Sequence, residues 1–479
     1  MQPETFPRRT TRGLILGLST SQTIVLGVAT VVVLVVLVSS GVQSALMVGI
    51  PLVGFAGMAA FVPVAGRKIV EWVPAGLHFL WARLVGQNTY KARLMRPRDQ
   101  GMIRLPGEGA ALRLVEDAAT STAMVFDPHQ RTLTAIALIR HGQFLSLPED
   151  ERDQQASAWG SALAHITSLE GVSRLQVLIR STPDRGGELA RAYERDGEPA
   201  RAGSLGDQLY RELLERSTAL MRDHSTYIAI QVAASKARDQ VREAGGGIVG
   251  LSELLGRVRT GVEDALRGAG LGVEMWLPPS ELARLIRVAY DPGAAAELEA
   301  DPTLGVDASY TGPQAIIDEP SFMRADTGFF QVWTVNQWPR IATYAGFLRP
   351  LLMEPIGQST FSLTFEPVDP DRAMSRAIRE VAAEETARQE RLKRGQVDTV
   401  IHARERSQAM AHLDDIAAGH GEVRLAAVMS VSGESMRELR MAGTRLKGAA
   451  RKKNMDVQVA YLNQASLFLA GALPLCRPL

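Results

Sequence analysis

The chain has 479 residues, too many for one ordinary core and enough for two or three folded units at roughly 150 residues each. Its 53 Lys and Arg nearly cancel 52 Asp and Glu, so no global field draws it to nucleic acid or to an anionic surface. A single cysteine, Cys476, excludes an internal disulfide and a thiolate metal cage, and it fits a reducing compartment.

The first elements are apolar. Residues 13–66 contain no Asp, Glu, Lys, Arg or His, a composition that a water-facing segment does not tolerate. A bilayer core about 30 Å thick takes about 20 apolar residues as helix. Gln22–Val38 supplies one span, Ser39, Ser40 and Gly41 a turn, and Leu46–Val62 a second span with Pro51 inside it. The apolar run is longer than the core of a cleaved signal peptide, and a second run follows at once. Arg8, Arg9 and Arg12 flank one side; Arg67, Lys68, Arg83, Lys91, Arg93, Arg96 and Arg98 follow the other. The positive-inside bias therefore predicts a two-pass anchor in the inner (plasma) membrane with both ends cytoplasmic. Gly49, Gly54, Gly57, Ala56, Ala59 and Ala60 permit close helix approach, within the hairpin or between copies in a homo-oligomer. Trp72, Val73, Leu77, Leu80, Trp81 and Leu84 then predict an amphipathic helix over 69–85, lying at headgroup level or against the folded part.

Beyond Pro97 the composition is that of a water-soluble α+β protein. Strands are predicted at 110–115, 123–127 and 132–138, with a turn at Asp127, Pro128 and His129. A helix over 149–169 with Trp159, Leu163 and Ile166 on one face leads to a strand at 175–180. Residues 182–206, rich in Gly, Pro and charge, read as an exposed excursion. A helix over 208–222, a strand at 226–233, a glycine run at 245–247 and a helix over 251–266 follow. A strand at 273–277 precedes a helix over 281–290 capped by Ser280. Residues 293–320 are turn-rich and mark a connection. Strands at 329–338, 358–365, 424–431 and 457–459 then alternate with charged helices over 371–422, broken near Gly395, and a basic helix over 435–453. An apolar segment, 464–472, ends the series. The expected organisation is a two-helix membrane anchor (1–66), a basic amphipathic segment (67–100), a first α+β domain (101–292), the connection (293–320) and a second α+β domain (321–479). Helices are expected to pack on small antiparallel or mixed sheets.

Catalytic signatures are missing. The glycine run is followed by Ile248, Val249 and Gly250, with no lysine to reach a nucleotide phosphate. There is no Gly-x-Ser-x-Gly elbow and no His-Glu-x-x-His. His402, His412 and His420 lack zinc-site spacing. Asp414–Asp415 and Glu384–Glu385 sit in charged helical runs, where a solvated face is the default. No catalytic residue, cofactor or metal is expected, and the chain reads as no enzyme. The one charge feature that stands out is Arg437, Arg440, Arg445, Lys447, Arg451, Lys452 and Lys453, on a helix with an apolar stripe of Leu439, Leu446 and Ala450. These are the candidate partner contacts, toward an acidic surface or lipid headgroups. Without interleaved aromatics for base stacking, direct nucleic-acid binding is not expected, and a solubilising helix face is the plainer use.

The C-terminal part carries a resemblance. It runs from a helix with Ala403, Ala409 and Leu413 through a turn at Gly419, His420, Gly421 and Glu422 to a strand over 423–431. Ser432, Gly433, Glu434 and Ser435 then start a long helix, and Leu473, Pro474 and Leu475 lie near the C-terminus. This order is similar to the end of the N-terminal, non-motor region of the conjugation and type IV secretion ATPases. With the hairpin, Arg287–Pro292 and Ala403–Arg406, it resembles the actinobacterial two-span membrane proteins of conjugation or type IV secretion-like loci (the SCO-type family). The resemblance implies a structural component that docks a separate ATPase and other channel subunits. An EccE-like component of a type VII secretion complex shares the same topology and is the alternative.

Overall fold

The computed structural model describes residues 20–64, 67–92, 101–140, 147–183, 193, 203–218, 222–294, 298, 311–339, 346–353, 357–393, 395, 400–418 and 421–479. Arg8, Arg9, Arg12, Arg93, Arg96, Arg98, Gly419, His420 and nearly all of the excursion after Pro183 lie outside them.

Helix α1 (Thr20–Phe61) contains one residue with non-helical backbone, Gly41 at φ 81° and ψ 175°. A side chain there would be strained, so glycine permits the reversal. The two arms then lie antiparallel. Gln22 Nε2 donates to Ala60 O at 2.6 Å, and a Cβ at Gly49 would stand 3.3 Å from the Val33 methyls. The seam uses small side chains: Ala29, Ala56, Ala59 and Ala60 are buried, while nothing lies within 4 Å of a Cβ at Gly54 or Gly57. Lys68 Nζ donates to Gln22 Oε1 at 2.8 Å and ties the arms at their base. Pro51 sits inside the second arm without another break. Ser21–Ser44 is long and apolar enough to cross a membrane, and Leu46–Phe61 is a shorter apolar helix. Outward side chains stay uncovered, among them Val38 at 87% and Met47 at 82% exposure. Only 6% of the Ser21–Ser44 span is buried, so it is not packed into the folded core of the described residues.

A two-strand bridge, β1 (Pro63–Val64) and β2 (Arg67–Lys68), leads to α2 (Ile69–Leu84). One side of α2 meets the folded part: Trp72 packs edge-on against Tyr461 at 5.7 Å, and Leu462 faces Gly76. The other side leaves Val73, Leu77, Leu80, Trp81 and Leu84 exposed.

Next come β3 (Thr89–Lys91), β4 (Arg113–Glu116), β5 (Ala123–Asp127), β6 (Thr132–Arg140), α3 (Glu149–Ser168), β7 (Val172–Pro183) and α4 (Leu205–Thr218). The series continues with β8 (Arg222–Ala233), α5 (Arg238–Glu243), α6 (Gly247–Gly268), β9 (Gly272–Trp276) and α7 (Pro279–Tyr290). A second series starts with β10 (Ala315–Asp318), β11 (Met323–Ala325), β12 (Gly328–Gln337), α8 (Arg349–Leu352) and β13 (Ser359–Pro367). It ends with α9 (Pro370–Lys393), α10 (Val400–Ala417), β14 (Val423–Gly433), α11 (Met436–Lys452), β15 (Asp456–Val459) and α12 (Gln464–Gly471).

Small sheets were expected; the structure has one antiparallel sheet of 13 strands. Its order is β3-β10-β11-β12-β14-β13-β7-β8-β6-β5-β4, with β15 beside β12 and β9 beside β6. The junction is β7 against β13, from Ser181 opposite Ser359 to Leu175 opposite Phe365. Each would otherwise be an exposed edge, and pairing removes both liabilities. Strands on both sides of residues 293–320 thus share one sheet, and Ala315–Asp318 is itself a strand.

The two series repeat one topology about that junction. β5-β6-β8-β7 with β9 on β6 matches β11-β12-β14-β13 with β15 on β12. Hydrogen bonds fix the correspondence: Leu277 N donates to Ile136 O, and Ala460 N to Val332 O, both at 2.9 Å. Ala137 therefore corresponds to Trp333, and Trp276 to Val459, because Ala137 pairs with Trp276 and Trp333 with Val459 ahead of the irregularity in each strand pair. On α6 and α11 the buried Leu255, Val258, Val262 and Leu266 match Leu439, Ala442, Leu446 and Ala450.

Strand alternation gives the sheet two apolar faces. On one, α3 and α6 cover β6, β7 and β8, while α8 and α11 cover β12, β13 and β14. On the other, α7 and α12 share a single core in which Phe468 lies 5.0 Å from both Tyr290 and Phe330. Ser280 was expected to cap α7. Instead Pro278 occupies the cap and Pro279 opens the helix, where a missing N–H costs nothing. Ser435 does cap α11: its Oγ accepts from Glu438 N at 3.3 Å, and the Glu438 carboxylate takes Glu434 N at 3.0 Å.

The C-terminal tail runs through this second core. Leu473, Leu475 and Cys476 are fully buried. Gln176, at 0% exposure on β7, holds them: its Nε2 donates to Ser362 Oγ, Ala470 O and Leu473 O, and its Oε1 accepts Cys476 N at 2.8 Å. Arg477 pairs with Asp127 in the β5–β6 turn, both side chains buried. Asp127 Oδ1 also accepts the His129 and Gln130 amides, which is why the predicted turn forms there.

Candidate functional site

Helix α11 buries the predicted apolar stripe: Leu439, Leu446 and Ala450 are no more than 3% exposed. Arg437, Arg440, Arg445, Lys447, Arg451 and Lys452 are on its exposed surface and Lys453 is partly buried. They do not form one patch. Lys447 and Arg451, one turn apart, are brought together with strand residues; the other five are not.

Those two cations form one wall of an open cleft of about 310 Å³. The floor is β15, from Asp456 to Val459, with Trp333 and Asn336 of β12 behind it and Tyr461 at the end that meets Trp72. Trp333 is 6% exposed, and its buried Nε1 has no hydrogen-bond partner among the described residues. A Cβ at Gly443 would lie 3.2 Å from Trp333 Cζ2 and 2.6 Å from Gln331 Oε1. Glycine lets α11 lie this close over the indole without displacing the ring or the Gln331 amide. Lys447 is one turn further along the same row. Asn336 Nδ2 donates to Gln458 Oε1 at 2.7 Å, which fixes the cleft's back. Neither Lys447 nor Arg451 has a salt bridge among the described residues.

The first half fills the matching place. By the α6–α11 correspondence, Arg259 stands where Gly443 is, Glu263 where Lys447 is, and Arg267 where Arg451 is. Arg259 lies 4.7 Å over the Trp276 ring, and Trp276 Nε1 donates to Glu263 at 2.6 Å. Arg259 also donates to Thr120 Oγ1 at 3.0 Å and pairs with Asp117. Burial draws the Arg259 guanidinium pKa down, against the carboxylates of Asp117 and Glu263. The Trp276 indole N–H thus has a carboxylate acceptor there, and the Arg259 guanidinium lies over the ring and pairs with Asp117, although its Nε has no partner among the described residues.

Sequence reasoning found Lys447 and Arg451 but missed Trp333, Asn336, Gln458 and Tyr461 as their neighbours. In the sequence Trp333 was visible only as one residue of the strand predicted over 329–338. Among the described residues, no group of three His, Cys, Asp or Glu could hold a metal ion. His402 and His412 lie on α10, away from the cleft residues in sequence and element. The glycine run at 245–247 has positive φ throughout (95°, 70° and 56°) and leads straight into α6. Neither a protein-family model nor a curated protein matches the chain.

Proposed function

We propose that the chain is a membrane-anchored structural component of a conjugative or type IV-like secretion machine, docking a separate ATPase. The observation that supports the anchor is the exposed apolar surface of α1. Uncovered valines, isoleucines and leucines along two arms of about 30 Å each are stable in hydrocarbon and unstable in water. The outer side of α2, with Trp81 and three leucines, then lies in the interface beside the bilayer, and the sheet stands on the cytoplasmic side.

The scaffold part of the reading rests on the family resemblance and on a sheet whose core is filled by its own side chains and tail. Affinity purification of the full chain from detergent-solubilised membranes is expected to recover a secretion ATPase. Recovery of a type VII assembly in its place would move the protein to that system, and recovery of neither would remove the docking role. The anchor is tested separately: chain made without detergent should pellet with membranes and resist carbonate extraction.

A further inference from the structure

We propose that the cleft between α11 and β15 holds the phosphodiester of an anionic glycerophospholipid, with Lys447 and Arg451 on the phosphate oxygens and the Trp333 indole N–H donating to one of them. The Trp333 indole N–H is one of the buried donors that have no acceptor among the described residues, and an unpaired buried donor costs free energy that an acceptor in the cleft would recover. The first half shows the ordinary remedy, a carboxylate at Glu263. At the matching position the second half has Lys447, which cannot accept. An acceptor from outside, carrying negative charge, would satisfy the indole and both cations together.

The charge count narrows the ligand. Lys447 and Arg451 face one lining carboxylate, Asp456, so the cleft carries one net positive charge. That matches the single charge of a phosphodiester better than a dianionic monoester. Position narrows it further. Tyr461 closes the cleft and packs on Trp72, and the outer side of α2 continues with Leu77 at 63%, Leu80 at 58% and Trp81 at 57% exposure. Acyl chains leaving the cleft would lie along that side. The phosphodiester chemistry stands on the cleft alone; the lipid as its source rests on the membrane reading above.

The test uses full-length protein in neutral detergent, mixed with palmitoyl-oleoyl phosphatidylglycerol or phosphatidylcholine, with retained lipid counted by native mass spectrometry. One phosphatidylglycerol per chain should be retained in preference to phosphatidylcholine. Retention should fall more than roughly ten-fold in Lys447→Gln/Arg451→Gln and roughly three-fold in Trp333→Phe, the sizes expected for losing cationic donors and one neutral donor. Arg437→Gln/Arg440→Gln, on the same helix outside the cleft, should retain as much as wild type. Equal retention by the cleft variant, or no preference between the lipids, overturns the proposal. Displacement of phosphatidylglycerol by glycerophosphoglycerol at equal concentration overturns the lipid source, and displacement by a DNA oligonucleotide assigns the cleft to nucleic acid. A chain that stays in the supernatant without detergent would end the anchor reading yet leave these counts readable, so the two failures are distinct.

Discussion

The groove between α6 and β9 is stopped by Arg259, Trp276 and Glu263, whereas the matching groove between α11 and β15 holds Gly443, Lys447 and Arg451 and stays open. The backbones agree in strand order, in register and in the buried face of the covering helix. What differs is where the indole is attached. In the first half it comes from β9 and lies under an arginine; in the second it comes from β12 and lies under a glycine. A repeated scaffold can thus fill a groove on one side and leave it open on the other through four side-chain changes (Arg259 to Gly443, Glu263 to Lys447, Trp276 to Val459 and Ala137 to Trp333), with no change of fold.

The largest test asks whether the halves depend on each other. Arg477→Met leaves Asp127 buried without its cation, and chemical denaturation should show a loss of about 3–5 kcal/mol. If it costs under about 1 kcal/mol, the tail is not what joins the halves. The same pair predicts an acid limit. Burial by itself would raise the Asp127 carboxyl, but Arg477 and the Gln130 and His129 amides hold it below the usual carboxylate range. Its stabilisation is therefore complete above the unfolded-state value near 3.8 and is lost as pH falls below it.

Next in size is Gln176→Leu, which orphans the Ala470 and Leu473 carbonyls and the Cys476 amide at the β7–β13 junction. A loss of about 2–4 kcal/mol is expected, with the tail released first. Cys476 reports that release. Burial pushes its thiol up to about 12, so a disulfide reagent at pH 8 should leave wild type unlabelled and label the variant.

A third comparison concerns the outer strands. Leu114 N donates to Gly101 O, and Asp318 N to Asn88 O, so Asp318 stands where the first half has a leucine. Burial raises its carboxyl to about 7, against the Ala465 amide that lowers it. Between pH 4 and 7 the folded chain keeps a proton that the unfolded chain has lost, so this group makes stability fall as pH rises. Asp318→Leu should therefore stabilise by about 2–3 kcal/mol at pH 8 and by little at pH 4. A pH-independent difference would remove the carboxyl as its cause.

The smallest effects probe the cleft itself. Glu263→Ala strands the Trp276 indole and should cost about 1 kcal/mol, whereas Lys447→Glu gives Trp333 an acceptor and should gain about as much. Thermal unfolding that moves both variants in one direction would break the contrast between the halves.

Much of the architecture was legible where the signal is local. The apolar hairpin, its reversal at Gly41, the turn at Asp127 and the buried stripe of α11 follow from composition and period, which any stretch of chain carries by itself. Short pieces such as β10 and β11, four and three residues long, have no period to read. Ser280 was mistaken for a cap because a proline one residue earlier takes the first helical position.

The sequence by itself determined an uncharged, strongly apolar opening segment, the lack of any internal disulfide and a helix with two faces. Only the tertiary structure decided that two series of strands close into one sheet, since that rests on residues 172–183 pairing with 359–367 across the chain. It also decided that Lys447 and Arg451, out of seven cations, share a cleft with a buried indole. The reason is that Gly443 lets a helix settle on a strand about a hundred residues earlier, a contact whose partners leave no mark in each other's local sequence.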